Sequence, residues 1–385
     1  MCGARRRRLT TMRIALLTRR FDPSGGGTER DLIVTAAHLR RAGHEITVYA
    51  NEVRGTSGDL RVKRVGSATL PRALAVIRFA YAAPREARAG GAELVLSFGR
   101  TVGADILRPG GGVHASYLRA ARRWRGGAGA LAMNLAPYHR AQMLVERRGF
   151  RAPELRKAIA VSNFVRDDLI RCFGLPAGRA VTLYNGVDLD RFRPRVDDSA
   201  RREVRARHRI ADDARVVAFA GNGFGRKGLG RLIDVWPGVG AQAYLLVVGG
   251  DRAAASFRER AARAGVAERV IFTGSVADVA PYFHSADAFA LPSLFEPFGN
   301  VVMEAMASGI PALSSAMCGV AELMPPELRE FVVADPGDAS EIARRVAAML
   351  AAGPEAGRIA RATAEGFTWE RYGRELDAII ASVAR

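Results

Sequence analysis

Two acids, Glu296 and Glu304, stand eight residues apart in FEPFGNVVMEAMASG, Phe295 to Gly309, with a glycine between them and helix formers after it. The apolar segment DAFALPS before them reads as a buried strand. Leu294 to Gly299 is then a loop at a strand's carboxyl end, where open parallel sheets bind ligands. A helix starting near Asn300 leaves the amides of Gly299, Asn300 and Val301 free to meet a phosphate. Glu304, one turn further on, shares a helix face with Asn300 and, as an acceptor-only carboxylate, suits a ribose diol. Glu296, in the loop, can accept from the hydroxyls of a sugar beyond the phosphates. Alone, Glu304 would be an ordinary surface glutamate; the pair around a glycine describes a ligand made of sugar, diphosphate, ribose and base.

Three glycine clusters add to this. SGGGTE, Ser24 to Glu29, follows a strand and opens a helix, so Gly26 and Gly27 let an anion approach the chain closely. It is a broken dinucleotide fingerprint, because Arg30 stands where a third glycine is expected. GNGFGRKG, Gly221 to Gly228, sets Arg226 and Lys227, a forked donor and a point charge, beside flexible glycines, a combination that suits a diphosphate. A solvated basic turn is the plainer reading of that pair; its place at a strand end favours the functional one. RPGGGVHASYL, Arg108 to Leu118, offers His114 as a general base or a sugar contact, although lone histidines are more often structural.

These loops need sheets to position them. RIALLTRRF from Arg13, a glycine loop, an amphipathic helix ending at Gly43 and HEITVYA form one strand, helix, strand unit of the kind that builds parallel sheets. ELVLSFG and RKAIAVS continue that half; ARVVAFAGN, AYLLVVGG, ERVIFTGS and DAFALPS start the pattern afresh. The fold class is therefore α/β, with two Rossmann-like doubly wound domains in tandem. Asn-Gly and a proline in LYNGVDLDRFRP break both periodicities, giving an amino-terminal domain over 12–185 and a second over 186–368. Residues 369–385 form a last helix whose stripe of Trp369, Tyr372, Leu376, Ile379, Ile380 and Val383 needs a surface to cover, the first domain.

Composition narrows the function classes. The chain has 385 residues and a formal net charge of +19. Through Asn185 there are 33 Lys and Arg against 13 Asp and Glu; from Gly186 onward, 25 against 26. The positive excess is confined to the first half, which implies an anionic partner there. Between Ser116 and Lys157 nine arginines surround Leu118, Trp124, Leu131, Met133, Leu135, Tyr138 and Met143, with only Glu146 and Glu154 opposing them. A solvated basic helix pair is one reading; an interfacial segment with Trp124 dipping into an anionic membrane boundary is the sharper one. Basic residues are not interleaved with aromatics as a nucleic-acid stacking platform requires, so no nucleic-acid partner is expected. Cys2, Cys172 and Cys318 lie far apart and suit a reducing cytoplasm. No apolar run reaches the roughly 20 residues of a membrane span, and MCGARRRRLTT lacks a secretory core, so translation from Met12 rather than Met1 is open. GGAGA, Gly126 to Ala130, is the one low-complexity tract.

EPFGNVVMEAMASGIPAL, with SADAFALPS and GNGFGRKGL before it, resembles the retaining glycosyltransferases of family 4, which have the GT-B fold. The likeness runs from Met12 to about Gly309, taking in the amino-terminal unit and YNGVDLDRFRP. Within the family, the FGRKGL loop and CGVAELM look most similar to the glucosyltransferases that extend the lipopolysaccharide inner core. The resemblance implies two domains facing a central cleft, the first for the acceptor and the second for a nucleotide sugar such as UDP-glucose. It implies catalytic roles for His114, Glu296, Arg226 and Lys227. It further implies donor contacts from Gly26, Gly27, Gly223, Arg226, Lys227, Val276, Glu296, Phe298, Gly299, Asn300, Val301 and Glu304. Neither a metal nor another cofactor is implied. The acceptor would be an anionic glycan or glycolipid at the inner face of the cytoplasmic membrane, with the protein cytoplasmic and peripheral there through its basic half. A nucleotide-sugar epimerase or a phosphorolytic enzyme on the same double fold is the alternative, and a dinucleotide-dependent oxidoreductase is disfavoured by the broken fingerprint.

Overall fold

Short apolar runs closed by Gly, Pro or Asp fold as strands in a computed structural model, which describes residues 11–23, 25–56, 58–66 and 70–383. Met1, Cys2 and Ser24 lie outside the described residues. One sheet contains β1 (Arg13–Phe21), β2 (Glu45–Val53), β3 (Arg61–Arg64), β4 (Leu94–Ser97), β5 (Ile106–Leu107), β6 (Lys157–Ala160) and β7 (Ala180–Thr182). The other contains β8 (Arg215–Ala220), β9 (Ala243–Val248), β10 (Val270–Gly274), β11 (Ala288–Ala290), β12 (Ala312–Ser315) and β13 (Val332–Val333). Their orders are β3-β2-β1-β4-β5-β6-β7 and β10-β9-β8-β11-β12-β13. Every pairing between these strands is parallel.

Each sheet is covered by helices on both faces, which is why β4 and β11 are buried along their whole length. In each, the strand order reverses once, between β1 and β4 and between β8 and β11. Loops leaving the carboxyl ends on either side of such a reversal diverge and leave a crevice. The two doubly wound sheets expected from the sequence are therefore present, and the loops after β8 and β11 flank the second crevice.

The chain passes between the domains twice, and the two passages run side by side. Val187 N donates to Phe367 O at 2.8 Å, and Gly186 has no room for a side chain, since a Cβ there would lie 2.6 Å from Trp369 N. The final helix, Trp369–Val383, then lays Tyr372, Leu376, Ile380 and Val383 against Ile14, Leu16, Leu32 and Leu39 of the first domain. Full burial of side chains of this size is worth roughly 1.5–3 kcal/mol each, enough to hold the end of the chain on the opposite domain.

The basic segment forms three helices, His114–Ala120, Arg122–Leu135 and Pro137–Phe150. GGAGA lies inside the middle one, which Gly126 interrupts at φ +70° and ψ 176°. Among the described residues no helix is long and apolar enough to cross a membrane.

Candidate functional site

The loops after β8 and β11 are joined directly to each other. Leu294 N donates to Arg226 O at 2.8 Å, and Arg226 Nη1 donates to Phe295 O at 2.7 Å. Glu296 Oε2 then accepts from Arg226 Nη1 at 2.8 Å and from Lys227 Nζ at 2.6 Å. Burial pushes the Glu296 carboxyl up, but Lys227 and then Arg226 outweigh it and hold the group at about 2. Two cations and one carboxylate leave a net positive charge where the loops converge, a setting that favours an anion.

Next to this pair the helix Asn300–Ala307 begins from Gly299, at φ +101°. That conformation suits glycine, and a Cβ there would also lie 2.5 Å from Cys318 Sγ. Cys318 is buried, its thiol pushed up by burial to about 12 and donating to Phe298 O at 3.1 Å, so it is a packing residue. The amides of Gly299, Asn300 and Val301 donate to no backbone acceptor among the described residues, and all three residues line a cavity of about 780 Å³ between the domains. Glu304 opens onto the same cavity one turn below. Burial raises its carboxyl, and Arg30 opposes the rise.

The first domain supplies the facing wall. The helix Gly27–Arg41 starts at the cavity, and a Cβ on Gly27 would stand 2.9 Å from Asn300 Nδ2, so glycine lets the domains approach there. Asn185 Nδ2 donates to Asn300 Oδ1 at 2.7 Å, and its Oδ1 accepts from Arg108 Nη2 at 2.5 Å. The same Arg108 nitrogen donates to Asp31 Oδ2 at 3.0 Å. Arg108 is fully buried, its guanidinium carbon 5.2 Å from the Phe98 ring centre and 5.7 Å from that of Tyr372. A charged group thus ties the first sheet, the interdomain passage and the last helix together.

Of the residues expected at the donor, Gly26, Gly27, Arg226, Lys227, Val276, Glu296, Phe298, Gly299, Asn300, Val301 and Glu304 line this cavity. Gly223 and His114 are not among its lining residues. Gly223 O accepts from Lys227 N at 3.1 Å and so shapes the turn that presents the cations. His114 is buried behind Tyr117, which does line the cavity, with ring centres 5.7 Å apart. Its Nε2 shares a hydrogen bond of 3.0 Å with His139 Nδ1. Burial, reinforced by Arg100 and His139, pushes the His114 imidazole down to about 3, so it is neutral at neutral pH. Trp124 does not face outward as the interfacial reading expects. It packs against Tyr117, ring centres 5.7 Å apart, and against Gly225, whose Cβ would lie 3.4 Å from Trp124 Cδ1. Trp124 is half-buried there, whereas Leu131 and Leu135 further along the helix are exposed.

The model of Glycosyltransferase Family 4 matches residues 25–191, and that of Glycosyl transferases group 1 matches residues 214–352. The chain carries both glycosyltransferase domains, arranged as a GT-B fold. Over 202 residues it is 35% identical to a GDP-mannose-dependent alpha-(1-6)-phosphatidylinositol monomannoside mannosyltransferase of Mycobacterium tuberculosis, covering 49% of this chain and 51% of the relative. It thus spans about half the length of such curated relatives. Its fold matches WaaG, a glycosyltransferase involved in lipopolysaccharide biosynthesis, with a TM-score of 0.80 at 21% identity, over 95% of this chain and 99% of that one. Anabaena HepE in complex with UDP and glucose matches with a TM-score of 0.73 at 20% identity, over 96% and 100%.

Several residues that shape this cavity escape a reading of the sequence. Arg100 Nε donates to Glu146 Oε1 at 2.7 Å, and both Glu146 oxygens accept from His114 N at 3.0 Å. Arg100 Nη2 also donates to Gly112 O at 2.8 Å, so this pair fixes the glycine loop that lines the cavity at Gly110 and Gly111. A signal existed: Glu146 is one of two acids in a strongly basic segment, and it is the buried one. Asp31 and Asn185 carried no comparable mark. Among the described residues no group of three or more His, Cys, Asp or Glu side chains is placed to hold a metal ion.

Proposed function

We propose that this chain is a retaining glycosyltransferase that moves a hexose from a nucleotide diphosphate sugar to a hydroxyl of a membrane-held, anionic glycan or glycolipid. The observation that carries this reading is the meeting of Arg226, Lys227 and Glu296 at the second sheet's crevice, opposite the Gly26–Gly27 loop. The diphosphate lies against the two cations and the amides at Gly299, Asn300 and Val301; Glu296 takes the sugar hydroxyls and Glu304 the ribose. The acceptor hydroxyl attacks the face from which the nucleotide leaves. The departing phosphate oxygen takes the acceptor's proton, while Arg226 and Lys227 stabilise its charge without a metal. No pair of carboxylates is assigned to flank the anomeric carbon, as a double displacement would need. The neutral His114 acts through Tyr117 and the glycine loop, on the acceptor side of the sugar.

UDP-glucose is the donor we assign, and lipopolysaccharide core the acceptor type, supported by the fold likeness to WaaG and HepE and by the earlier motif resemblance. The mycobacterial relative's name makes GDP-mannose the competing donor. Release of nucleotide from a panel of UDP and GDP sugars, with and without a lipopolysaccharide acceptor, tests both. Turnover of one sugar nucleotide that rises with acceptor supports transfer; interconversion of sugars without acceptor supports an epimerase instead. Glu304→Ala is expected to weaken nucleotide binding about tenfold or more, because a charge-assisted hydrogen bond is lost. Unchanged nucleotide affinity in a calorimetric titration would remove Glu304 from the ribose.

The cytoplasmic, peripheral location on the inner membrane face rests on the exposed arginines of the basic helices. Arg122, Arg123 and Arg125 are exposed, Arg123 with Asp335 of the second domain 3.3 Å away. Near-surface basic residues contribute about 1 kcal/mol each to binding anionic lipid, so replacing these three with Gln is expected to cost more than tenfold in vesicle affinity. Sedimentation with vesicles should show binding that rises with anionic lipid and falls with salt. Equal binding to neutral and anionic vesicles would return the segment to a solvated basic surface.

A further inference from the structure

Glu304 belongs to the second domain, but its counter-charge comes from the first. Arg30, in the first turn of the helix Gly27–Arg41, donates through Nη1 to Glu304 Oε1 at 2.5 Å. The two side chains are unequally placed: that of Glu304 is 11% exposed and that of Arg30 38%. Both line the cavity, and Glu304 Oε2 accepts no hydrogen bond among the described residues. An ordinary surface ion pair would be worth little and could simply be displaced by a ligand. This one differs because the acid is nearly buried, so the guanidinium compensates a carboxylate that would otherwise favour its neutral form.

We propose that Arg30 is the positioning residue of the ribose subsite: reaching across the cleft, it holds Glu304 Oε1 so that Oε2 meets the ribose diol. This rests on the assignment of Glu304 to the ribose. Recognition of the nucleotide's ribose is then shared between the domains and is complete only when they stand together. A diol that donates to the Glu304 carboxylate also comes within reach of the outer N–H groups of Arg30, which can donate to its oxygens. The arrangement therefore selects ribonucleotides over 2′-deoxyribonucleotides, because losing one hydroxyl strands polar groups on both side chains.

The opposite role is equally concrete. If Arg30 merely occupies the subsite, removing it relieves a competitor and binding tightens. If it positions Glu304, removal weakens binding and adds a pH dependence. Without Arg30, burial raises the Glu304 carboxyl with only Arg191 and Lys227 left to oppose it. As pH falls the carboxyl takes up a proton and becomes a poorer acceptor for the diol.

The test is calorimetric titration of the full chain with UDP and 2′-deoxy-UDP, and with GDP and 2′-deoxy-GDP, at pH 6, 7 and 8. Phosphate titration is common to each pair and cancels in the ribo-to-deoxy affinity ratio. Wild type is expected to prefer the ribonucleotide by about tenfold or more, with a ratio that holds across this range. Glu304→Gln should lose the preference. Arg30→Ala should lose most of it, with a larger loss at the lower pH, and Arg30→Lys should restore part; Arg30→Gln serves should the alanine variant fail to fold. An Arg30→Ala protein with the wild-type ratio at every pH, or with tighter binding, overturns the positioning role while Glu304→Gln still loses its preference. A wild-type ratio in Glu304→Gln, or no nucleotide binding by the wild type, overturns the ribose assignment and the proposal with it.

Discussion

Lys227→Ala is expected to lower turnover at saturating donor by a factor of about 100 or more, the usual cost of removing one donor from a developing oxyanion. The geometry explains why the loss should fall on turnover. Lys227 is 8% exposed and its ammonium sits 2.6 Å from Glu296 Oε2, beside the cavity. In the variant, Arg226 alone faces Glu296, and one cation against one carboxylate leaves no net charge for the departing phosphate. Arg226 would still hold Glu296 ionised, so under the proposed assignment the sugar contact persists while the leaving group loses its stabilisation. Steady-state rates with the preferred sugar nucleotide, at concentrations above the variant's own KM, separate the two effects. Turnover within a few fold of wild type would remove Lys227 from the phosphate and leave it as a partner of Glu296.

How far this site can be read from sequence depends on the range over which its parts communicate. The segment Phe295–Gly309 is legible because its logic is local. An apolar strand, a glycine that tolerates φ +101° and a helix beginning at Asn300 are adjacent in the chain, and the side chains follow from helical periodicity. The Arg226–Lys227 turn is legible for the same reason, since its meaning comes from its place after β8. Short strands are harder: β5 and β13 have two residues each, and their burial comes from neighbouring strands. Hydrophobic pattern cannot separate two buried residues from a loop.

Pairings that cross the cleft have no local signature at all. Arg30 reads as the residue that spoils a dinucleotide fingerprint, and only the tertiary structure shows it opposite Glu304. Trp124 reads as a membrane anchor because basic and apolar residues surround it in sequence, but Tyr117 and Gly225 claim its ring in space. The basic segment thus has two faces with different duties. Its arginines and exposed leucines look outward, while Tyr117 and Trp124 pack toward Phe295 and the loop of the second domain. Charge counting finds the first face and misses the second.

The buried ion pair between Arg108 and Asp31 in the first domain carries the other large expected effect. Arg108→Met is expected to destabilise the protein by about 3–5 kcal/mol near pH 8, the cost of leaving one member of a buried ion pair without its partner. Methionine can fill much of the space between the Phe98 and Tyr372 rings, so the loss is chiefly electrostatic. Asp31 is 2% exposed; burial raises its carboxyl, and Arg108 is the main group opposing that rise. Without Arg108 the folded carboxyl rises further above the unfolded value. Stability assigned to a raised carboxyl is present below its unfolded value and is lost as pH climbs through the folded one, so the deficit should shrink as pH is lowered from 8 toward 5. Asp31→Asn combined with Arg108→Met removes both charges and should recover most of the deficit, because an uncharged pair leaves no stranded ion. Urea unfolding at pH 5 and pH 8 for the two variants distinguishes the causes. A deficit that is the same at both pH values and is not recovered in the double variant would assign the role of Arg108 to packing between the aromatic rings, with Asp31 held by Asn185.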